Sequence, residues 1–463
     1  MTIFNVKPVF LLTDILLFIL IALALVYFFQ SRKKQHLKEQ WQQLSNSTAA
    51  MCSGAILIIY LIIGVADSIH FRTQLDNPEL TKTTYSPEVL SLLDVMLTQL
   101  RANTEKTYSA PFATHSFSKT SLTQEDGSVT RDYEKLLYAG SHLNSDEEKS
   151  KDIFVKVIKG LILGLLICLP FGLFIRYRRT RSAQQRNDKW PVFWLTLGFV
   201  VVCSCILVQL STGYHVLGTD KIGSDVLYQS IKSIRTGLMI GTLTTLVMLP
   251  FGIALGVAAG YFRGWVDDVI QYLYTTLNSI PGVLLIAASV LMLQVYLNNN
   301  ASEYESVVER ADMRLFFLCL ILGITSWTGL CRYIRAETLK LREMDYVAAA
   351  KVQGVRHLKI LSQHILPNVM HIVLITIALD FSGLVLAEAV LAYVQIGVDP
   401  STESWGNMIS NARMEMARDP VIWWSLAGAF SFMFILVLAA NIFADAVRDV
   451  LDPRSGRFSG GKD

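Results

Sequence analysis

Nine apolar stretches, each close to the length that crosses a lipid bilayer, dominate this chain of 463 residues. An α-helix needs about twenty apolar residues to span the hydrocarbon core. Hydrophobic residues make up 52% of the chain, charged residues make up 17%, and the mean hydropathy is +0.41. This composition excludes an ordinary soluble domain, and we predict an all-α, polytopic integral membrane protein. The predicted spans are Phe10–Phe29, Ala49–Val65, Val157–Ile175, Val192–Leu210, Gly237–Ala258, Pro281–Tyr296, Leu315–Leu330, His371–Leu391 and Val421–Ala444.

Basic residues in the short loops predict the orientation of these spans, because lysine and arginine favour the cytoplasmic side. They follow the first span and separate the third span from the fourth: Arg32, Lys33, Lys34, Lys38, Arg176, Arg178, Arg179, Arg181, Arg186 and Lys189. Both loops are therefore predicted to be cytoplasmic. Alternation then places the N-terminus outside and the C-terminus inside. The first span is interpreted as a retained anchor rather than a signal peptide, because its positive cluster follows it.

These features divide the chain into five segments. Residues 1–65 hold two spans and a basic cytoplasmic loop, 66–156 form a periplasmic domain, and 157–190 add a third span with a basic linker. The other six spans lie in 191–455, and 456–463 form a cytoplasmic tail.

The periplasmic segment is predicted to be a small helical domain on the membrane surface. Ser86 and Pro87 can start one helix, and its apolar face would carry Val89, Leu93, Met96, Leu97 and Leu100. A second helix is predicted over Thr130–Tyr138, stopped by Gly140. The alternative role is a surface that captures a binding protein or a lipoprotein.

Cysteine, histidine and net charge exclude several other classes. The six cysteines lie in or beside predicted spans, so 66–156 has no disulfide framework. His357, His364 and His371 recur at helical spacing, but Pro367 interrupts them, and we predict no metal site. The net charge of +3 supports no nucleic-acid partner.

A polar, basic stretch between apolar spans, Tyr346 to Asn368, reads YVAAAKVQGVRHLKILSQHILPN. Its three consecutive alanines offer a helix surface thin enough for close approach, and Gly354 permits the turn that ends this helix. A second short helix is predicted to end at Leu-Pro-Asn. The alternative is an ordinary surface helix with a glycine cap.

Other motifs accompany this stretch in a fixed order. They are LGTDKIGSDVL from Leu217, GYFRGWVDD from Gly260, SWTGLCRYIR from Ser326, EAVLAYVQIGV from Glu388, SWG from Ser404 and NIFADAVRDVLDP from Asn441. By the order and spacing of these motifs, residues 190–455 resemble the C-type permease subunit of the dipeptide, oligopeptide and nickel ABC importer family. The resemblance implies a six-helix permease core, and the preceding residues are then an atypical N-terminal extension.

The resemblance also implies two sets of functional residues. A coupling loop within 332–368 would dock into a groove of a separate ATPase subunit through Tyr346, Ala348, Ala349, Ala350, Gly354, Ile365, Leu366 and Pro367. A periplasmic motif would comprise Gly218, Thr219, Asp220, Gly223, Asp225, Trp405 and Gly406. Two positions depart from the family pattern, because Ala348 replaces a glutamate and Ser224 replaces an arginine.

Two acidic residues lie within the eighth predicted span, where an unpaired charge costs about 2–4 kcal/mol. Asp380 is central, and it either faces the translocation pathway, pairs with a partner helix or contacts a backbone break. Glu388 lies two turns later and matches a family glutamate, for which a structural hydrogen bond is the simpler role.

The chain contains no G-x-x-x-x-G-K-[ST] motif, so we predict a transport subunit rather than an enzyme. The resemblance implies that two partner ATPase subunits bind ATP and magnesium, beside a second permease, a periplasmic solute-binding protein and membrane lipids. Short peptides or related small solutes are the implied cargo. The alternative is a membrane sensor or assembly protein that reuses the permease fold and signals through its periplasmic domain.

Overall fold

The computed structural model describes residues 6–31, 35–75, 84–123, 129–143, 146–181, 189–300, 304 and 306–451. Its α-helices are α1 (Leu12–Ser31), α2 (Gln35–Asn46), α3 (Thr48–Asp67), α4 (Leu92–Met96), α5 (Thr98–Ala102), α6 (Lys149–Arg181), α7 (Trp190–Ser211), α8 (Val226–Phe262), α9 (Trp265–Ser279), α10 (Gly282–Asn299), α11 (Val307–Arg342), α12 (Asp345–Val352), α13 (His357–Ile360), α14 (Leu366–Tyr393), α15 (Trp405–Glu415) and α16 (Trp424–Leu451). Its strands are β1 (Val6–Val9), β2 (His70–Leu75), β3 (Thr84–Tyr85), β4 (Leu90–Ser91), β5 (Thr120–Thr123) and β6 (Val129–Asp132).

The helical membrane architecture is confirmed. Within the described residues, eight helical segments are long and apolar enough to cross a bilayer, namely α3, α6 to Pro170, α7, α8, α10, α11, the run from α13 through α14, and α16 to Val450. Helix α1 adds a shorter apolar stretch, Leu12–Val26. Each of the nine predicted spans overlaps one of these segments. Helices prevail because hydrocarbon offers no hydrogen-bond partner to an open backbone.

Two helices that hydropathy did not predict flank the spans. Amphipathic α2 lies in the predicted first cytoplasmic loop, and amphipathic α9 precedes α10. Both carry too many polar residues to register as spans, yet each has an apolar face. Of the basic residues used for orientation, Arg32, Lys33, Lys34 and Arg186 lie outside the described residues.

The two helices predicted in segment 66–156 are only partly present, because this segment also contains strands. Strand β2 pairs antiparallel with β1, β3 and β4, and β5 pairs antiparallel with β6. The helix expected from Ser86 begins only at Leu92, because Ser91 caps it and residues 90–91 pair with β2 instead. The helix expected over Thr130–Tyr138 is replaced by β6 and turns. Backbone pairing between these strands overrides the local helical pattern.

The described residues group into two compact units. The first takes its residues from Met1–Val9, Gln42–Thr236 and Glu403–Ala439. Within it α7 packs along α6 and α3. An apolar cluster centres on Leu100, Leu210, Val216 and Leu227. Helix α5, the end of α7 and the first turn of α8 thus share one core.

The second unit takes its residues from Phe10–Trp41, Gly237–Thr402 and Ala440–Asp463. Its inner part packs α8 against α11 through Gly252, Gly256 and Gly260, which recur every fourth residue. A Cβ atom on Gly256 would lie 2.8 Å from the carbonyl oxygen of Cys331, so glycine is required for this approach. The same core continues into α12, α13 and α14, and it therefore supports the predicted coupling loop.

Candidate functional site

The coupling segment, defined here as residues 345–368, is built around a glycine turn. Gly354 has a φ of +73°, and it follows α12 directly. Its N–H donates to the carbonyl of Lys351 at 3.0 Å, and the N–H of Val355 donates to the carbonyl of Ala350 at 3.1 Å. This is a Schellman motif, which requires the left-handed backbone that glycine adopts most readily. The sequence prediction of a helix ended by Gly354 agrees with this geometry.

The second helix of the segment does not end where the sequence suggested. Helix α13 continues through a π-helical turn, Leu361–Ile365, into α14. Leu366 and Pro367 occupy the start of α14, where proline is tolerated because the first N–H groups of a helix need no intrahelical partner. The segment is therefore one short helix, a turn and the beginning of a long membrane helix.

The alanines of α12 divide between two faces. Val347 and Ala350 are buried with Ile360 and Ile365 in the core of the second unit. Ala348 and Ala349 are exposed. The predicted three-alanine docking surface therefore loses Ala350, because successive helix positions point about 100° apart and the third faces inward.

Two apolar side chains of the coupling segment are exposed in addition to Ala348 and Ala349. Val352 at the end of α12 is 89% exposed, and Leu358 in α13 is 79% exposed. Tyr346 is partly exposed, and its ring lies 6.0 Å from the ring of His364. Sequence reasoning overlooked Val352 and Leu358, although each is an apolar residue in an otherwise polar stretch.

Helix α8 holds the coupling segment in place through Tyr261. The Tyr261 hydroxyl lies 2.8 Å from Nδ1 of His357, and the Lys351 ammonium lies 5.1 Å from the centre of the tyrosine ring. Arg342 donates to the Tyr261 carbonyl at 2.7 Å. Partial burial and then the nearby Arg342 lower the pKa of Lys351. These contacts give the segment a defined position on the core of the second unit.

An ion pair fixes α11 just before the segment. Arg335 donates Nε to one carboxylate oxygen of Asp267 at 2.5 Å and Nη2 to the other at 2.8 Å. These hydrogen bonds keep the pKa of Asp267 below its usual range. Because the fork is bidentate, it sets the rotation of α9 against α11. Arg332, the other arginine of the SWTGLCRYIR motif, is exposed on α11.

The two acidic residues of the eighth span both lie in α14. Asp380 is half-buried, and Glu388 is buried. The neighbouring Phe381 packs against Gly241 of α8. Glu388 thus has the burial expected of a structural group, whereas Asp380 keeps part of its surface accessible.

Residues 105–109 pack against the outer motif, which is defined here as residues 217–225. Gly218 and Gly223 have φ values of +71° and +77°. A side chain on Gly218 would collide with the Ser109 carbonyl, and one on Gly223 would collide with the Glu105 backbone. These glycines therefore make room for residues 105–109.

Thr219 connects the outer motif to residues 107–109. The Thr219 hydroxyl donates to the Thr107 carbonyl at 2.9 Å and accepts from the Ser109 N–H at 2.7 Å. Asp220 instead organises its own loop by accepting from the N–H groups of Ile222 and Ser224. Ser224 thus takes part through its backbone.

Asp225 caps α8 and anchors a buried charge cluster. One carboxylate oxygen accepts from the Leu227 N–H at 2.8 Å, and the other lies 2.6 Å from Nδ1 of His215. The other ring nitrogen of His215 lies 3.6 Å from a carboxylate oxygen of Glu105. That carboxylate also accepts from three backbone N–H groups, those of Leu137, Tyr138 and Ala139.

In this cluster of Glu105, His215 and Asp225, the pKa values of His215 and Glu105 are shifted in opposite directions. Burial opposes a charged imidazole, but the hydrogen bond accepted by Asp225 and the nearby carboxylate of Glu105 raise the pKa of His215 to about 9. Burial likewise opposes a charged Glu105, but His215 and the backbone donors lower its pKa to about 2. His215 and Glu105 are therefore both ionised at neutral pH. Sequence reasoning missed both residues, because nothing near either one in the chain indicates the other.

Two tryptophan indoles donate hydrogen bonds to the outer motif and to the adjoining first turns of α8. The Trp424 indole donates to the Thr219 carbonyl at 2.9 Å, and the Trp405 indole donates to the Ser230 carbonyl at 3.0 Å. Ser404 caps α15 by accepting from the Asn407 N–H. Gly406 is buried in the first turn of the same helix. All the predicted motif residues therefore lie in the first unit.

A second charge cluster lies on the buried side of α4. Asp94 accepts from Lys232 at 2.5 Å and from the Tyr228 hydroxyl at 2.7 Å. Despite its burial, the pKa of Asp94 is lowered, first by the charge of Lys232. The described residues contain no group of three or more histidine, cysteine, aspartate or glutamate side chains arranged to hold a metal ion.

Comparison with known proteins places this arrangement in a family. Residues 252–457 match the family described as the binding-protein-dependent transport system inner membrane component. The dipeptide transport system permease protein DppC of Alkalihalophilus pseudofirmus is 30% identical over 247 residues, which cover 53% of this chain and 74% of the relative. This chain belongs to the permease family of binding-protein-dependent transporters.

Other relatives of this permease carry different names. The glutathione transport system permease protein GsiD of Pectobacterium atrosepticum is 30% identical over 52% of this chain and 73% of the relative. The oligopeptide transport system permease protein OppC of Mycobacterium tuberculosis is 29% identical over 54% of this chain and 79% of the relative. The permease is thus a multi-pass inner-membrane transport component, and its predicted C-type membership of the peptide ABC importer family is confirmed.

Proposed function

We propose that this permease is one membrane subunit of an ATP-driven importer for short peptides or related small solutes. It would form the pathway with a second permease, receive cargo from a periplasmic solute-binding protein, and rely on two ATPase subunits that bind ATP and magnesium. The names of the relatives, which refer to dipeptide, oligopeptide and glutathione transport, support this cargo class.

The observation that carries the coupling proposal is the exposed small face of α12. Ala348 and Ala349 leave room for close approach, and Val352 beside them exposes an apolar surface that a groove on an ATPase can cover. The buried Val347 and Ala350 hold this face rigidly on the core. Where the family has a glutamate and this chain has Ala348, the exposed Asp345 in the first turn of α12 is the nearest acidic substitute along the chain.

The coupling proposal predicts a loss of function from bulk on this face. Ala349→Arg should abolish substrate-stimulated ATP hydrolysis by the reconstituted importer, while the permease remains assembled in the membrane. Gln43→Arg is the matched control, because it adds the same side chain at an exposed position of α2, outside the coupling segment. Normal stimulation in the Ala349→Arg complex would instead make α12 a solvated surface, and it would favour the sensor or assembly role.

We further propose that the coupling segment is cytoplasmic and that 66–156 is periplasmic, as the basic loops predict. In intact cells, a membrane-impermeant thiol reagent should label a cysteine at Val129 of β6 but not a cysteine at position 351. Labelling at position 351 without permeabilisation would reverse the proposed orientation. Both positions are placed in a chain whose native cysteines have been replaced by serine.

Within the pathway we assign different roles to the two acids of α14. Asp380, half-buried near the middle of the span, would face the pathway or the partner permease. Glu388, buried near the end of α14, would stabilise helix packing by hydrogen bonding.

A further inference from the structure

The exposed side of α3 carries large aliphatic residues up to its outer end. Ile58 and Ile62 are 43% and 60% exposed, and they lie one helical turn apart within an apolar span. Their exposure is that of side chains in contact with lipid acyl chains. The helix ends at Asp67, and Ile69, two residues later, is again exposed. An apolar surface therefore continues past the end of the helix.

Helix α4 is fixed directly to this end of α3. The N–H of Leu92 donates to the Ile69 carbonyl at 3.0 Å, and the Ser91 hydroxyl donates to Asp67 at 2.7 Å. Asp94 completes a capping box with Ser91. The hydrogen bonds of Asp94 to Tyr228 and Lys232 add a second attachment, to the first turns of α8. Helix α4 therefore lies beside the end of α3 and the first turns of α8, and its rotation is set by these contacts.

With that rotation, α4 turns an apolar face outward. Leu92, Val95 and Met96 are 40%, 51% and 71% exposed, and their i, i+3, i+4 spacing puts them on one side. Leu93 and Asp94 on the other side are buried. A short helix in water would favour polar residues at these exposed positions.

We propose that Ile69, Leu92, Val95 and Met96 form an interfacial patch that inserts into the lipid leaflet on the side of residues 66–156. The patch continues the lipid-facing surface of α3 and sits at the level where α3 ends. An amphipathic helix at such a level lies about 5–10 Å deep at the boundary of headgroups and acyl chains. The segment 66–156 is then anchored by lipid as well as by its buried charge clusters, whichever way the permease is oriented.

Fluorescence quenching in nanodiscs tests this contact on the full chain. The native cysteines are replaced by serine, and an environment-sensitive fluorophore is attached at Met96→Cys. The matched control carries the same fluorophore at Val129→Cys, whose native side chain is similarly exposed at 65% in β6. A lipid spin-labelled near its headgroup should quench the Met96 probe several-fold more than the Val129 probe, and aqueous iodide should show the reverse order.

Other results would overturn the patch. Equal iodide quenching at both positions would place α4 in water. Shielding of the Met96 probe that appears only after a binding protein or a second permease is added would assign the face to that protein instead. A second probe at Leu92→Cys repeats the measurement, so the result does not depend on one variant, and a monodisperse gel-filtration profile confirms that each labelled chain is folded.

Discussion

The coupling segment and the outer motif are both organised by glycines with φ near +75°, yet they use them in opposite ways. Gly354 lies in open space, with nothing within 4 Å of the position a Cβ atom would take. Gly223 lies directly against the backbone of Glu105. The first glycine serves a local turn and leaves a surface free, whereas the second admits a distant chain segment. Similar backbone geometry therefore does not imply a similar role.

The two regions also differ in how deeply their charged groups are buried. The charged groups that position the coupling segment, such as Arg342 and Lys351, are only partly buried, and both contact Tyr261. In the cluster of Glu105, His215 and Asp225, the charged groups are almost fully buried, and the His215 ring lies between the two carboxylates. Because a buried charge without its partner is costly, the outer motif should tolerate substitution far less well.

The largest expected loss of stability is that of a substitution at Gly223, and Gly354 provides the comparison. Gly223→Ala should destabilise the permease by about 3 kcal/mol or more, because it adds backbone strain and a collision with Glu105. Gly354→Ala should cost only about 1–2 kcal/mol, from the left-handed backbone alone. The yield and thermal midpoint of detergent-solubilised protein measure both. Equal losses would break the distinction between a local turn and a packed one.

A smaller effect is expected from the buried charge cluster. Glu105→Gln should destabilise the permease by about 2 kcal/mol, because His215 loses one ionic partner and three N–H groups share a weaker acceptor. Glu134→Gln is the control, since that glutamate pairs with Lys106 at an exposed position. A thermal midpoint of Glu105→Gln equal to that of the control would mean that the cluster contributes nothing measurable.

The same cluster makes stability depend on pH in a defined direction. The pKa of His215 is raised from 6.5 to about 9, so its contribution is full below pH 6.5 and is lost as pH rises through about 9. The pKa of Glu105 is lowered from 4.5 to about 2, so its contribution is present above pH 4.5 and is lost as pH falls toward 2. The thermal midpoint should therefore decline between pH 6.5 and 9, and His215→Gln should flatten that decline.

The smallest structural effect is expected at Asp380. Asp380→Asn should assemble normally, because a neutral amide costs less in the membrane, and transport should fall if the carboxylate faces the pathway. If Asp380 instead anchors a hydrogen bond, Asp380→Asn should transport nearly normally and Asp380→Leu should lower the yield of complex. Uptake and assembly of both variants separate the two roles, and unchanged behaviour in both would remove Asp380 from the proposed pathway.

Local chemistry explains which parts of the site were predictable. The end of α12 at Gly354 follows from a glycine after a helix-forming run, and the apolar spans follow from hydropathy. The inward rotation of Ala350 did not follow, because three consecutive alanines carry no signal of which one faces the core. The strands of 66–156 did not follow either, since backbone pairing between strands overrides the helical pattern of the individual segments.

The sequence by itself determined that this chain is a helical membrane permease, because long apolar stretches have few other stable structures in lipid and the permease motifs keep their order. Only the tertiary structure decided what the outer motif does. Thr219 and Ser109 are 110 residues apart, yet they share a hydrogen bond. Residues 105–109 lie so close to Gly218 and Gly223 that a larger side chain at either position would collide with their backbone. A contact between such distant segments depends on how the whole chain packs, and no local pattern encodes it.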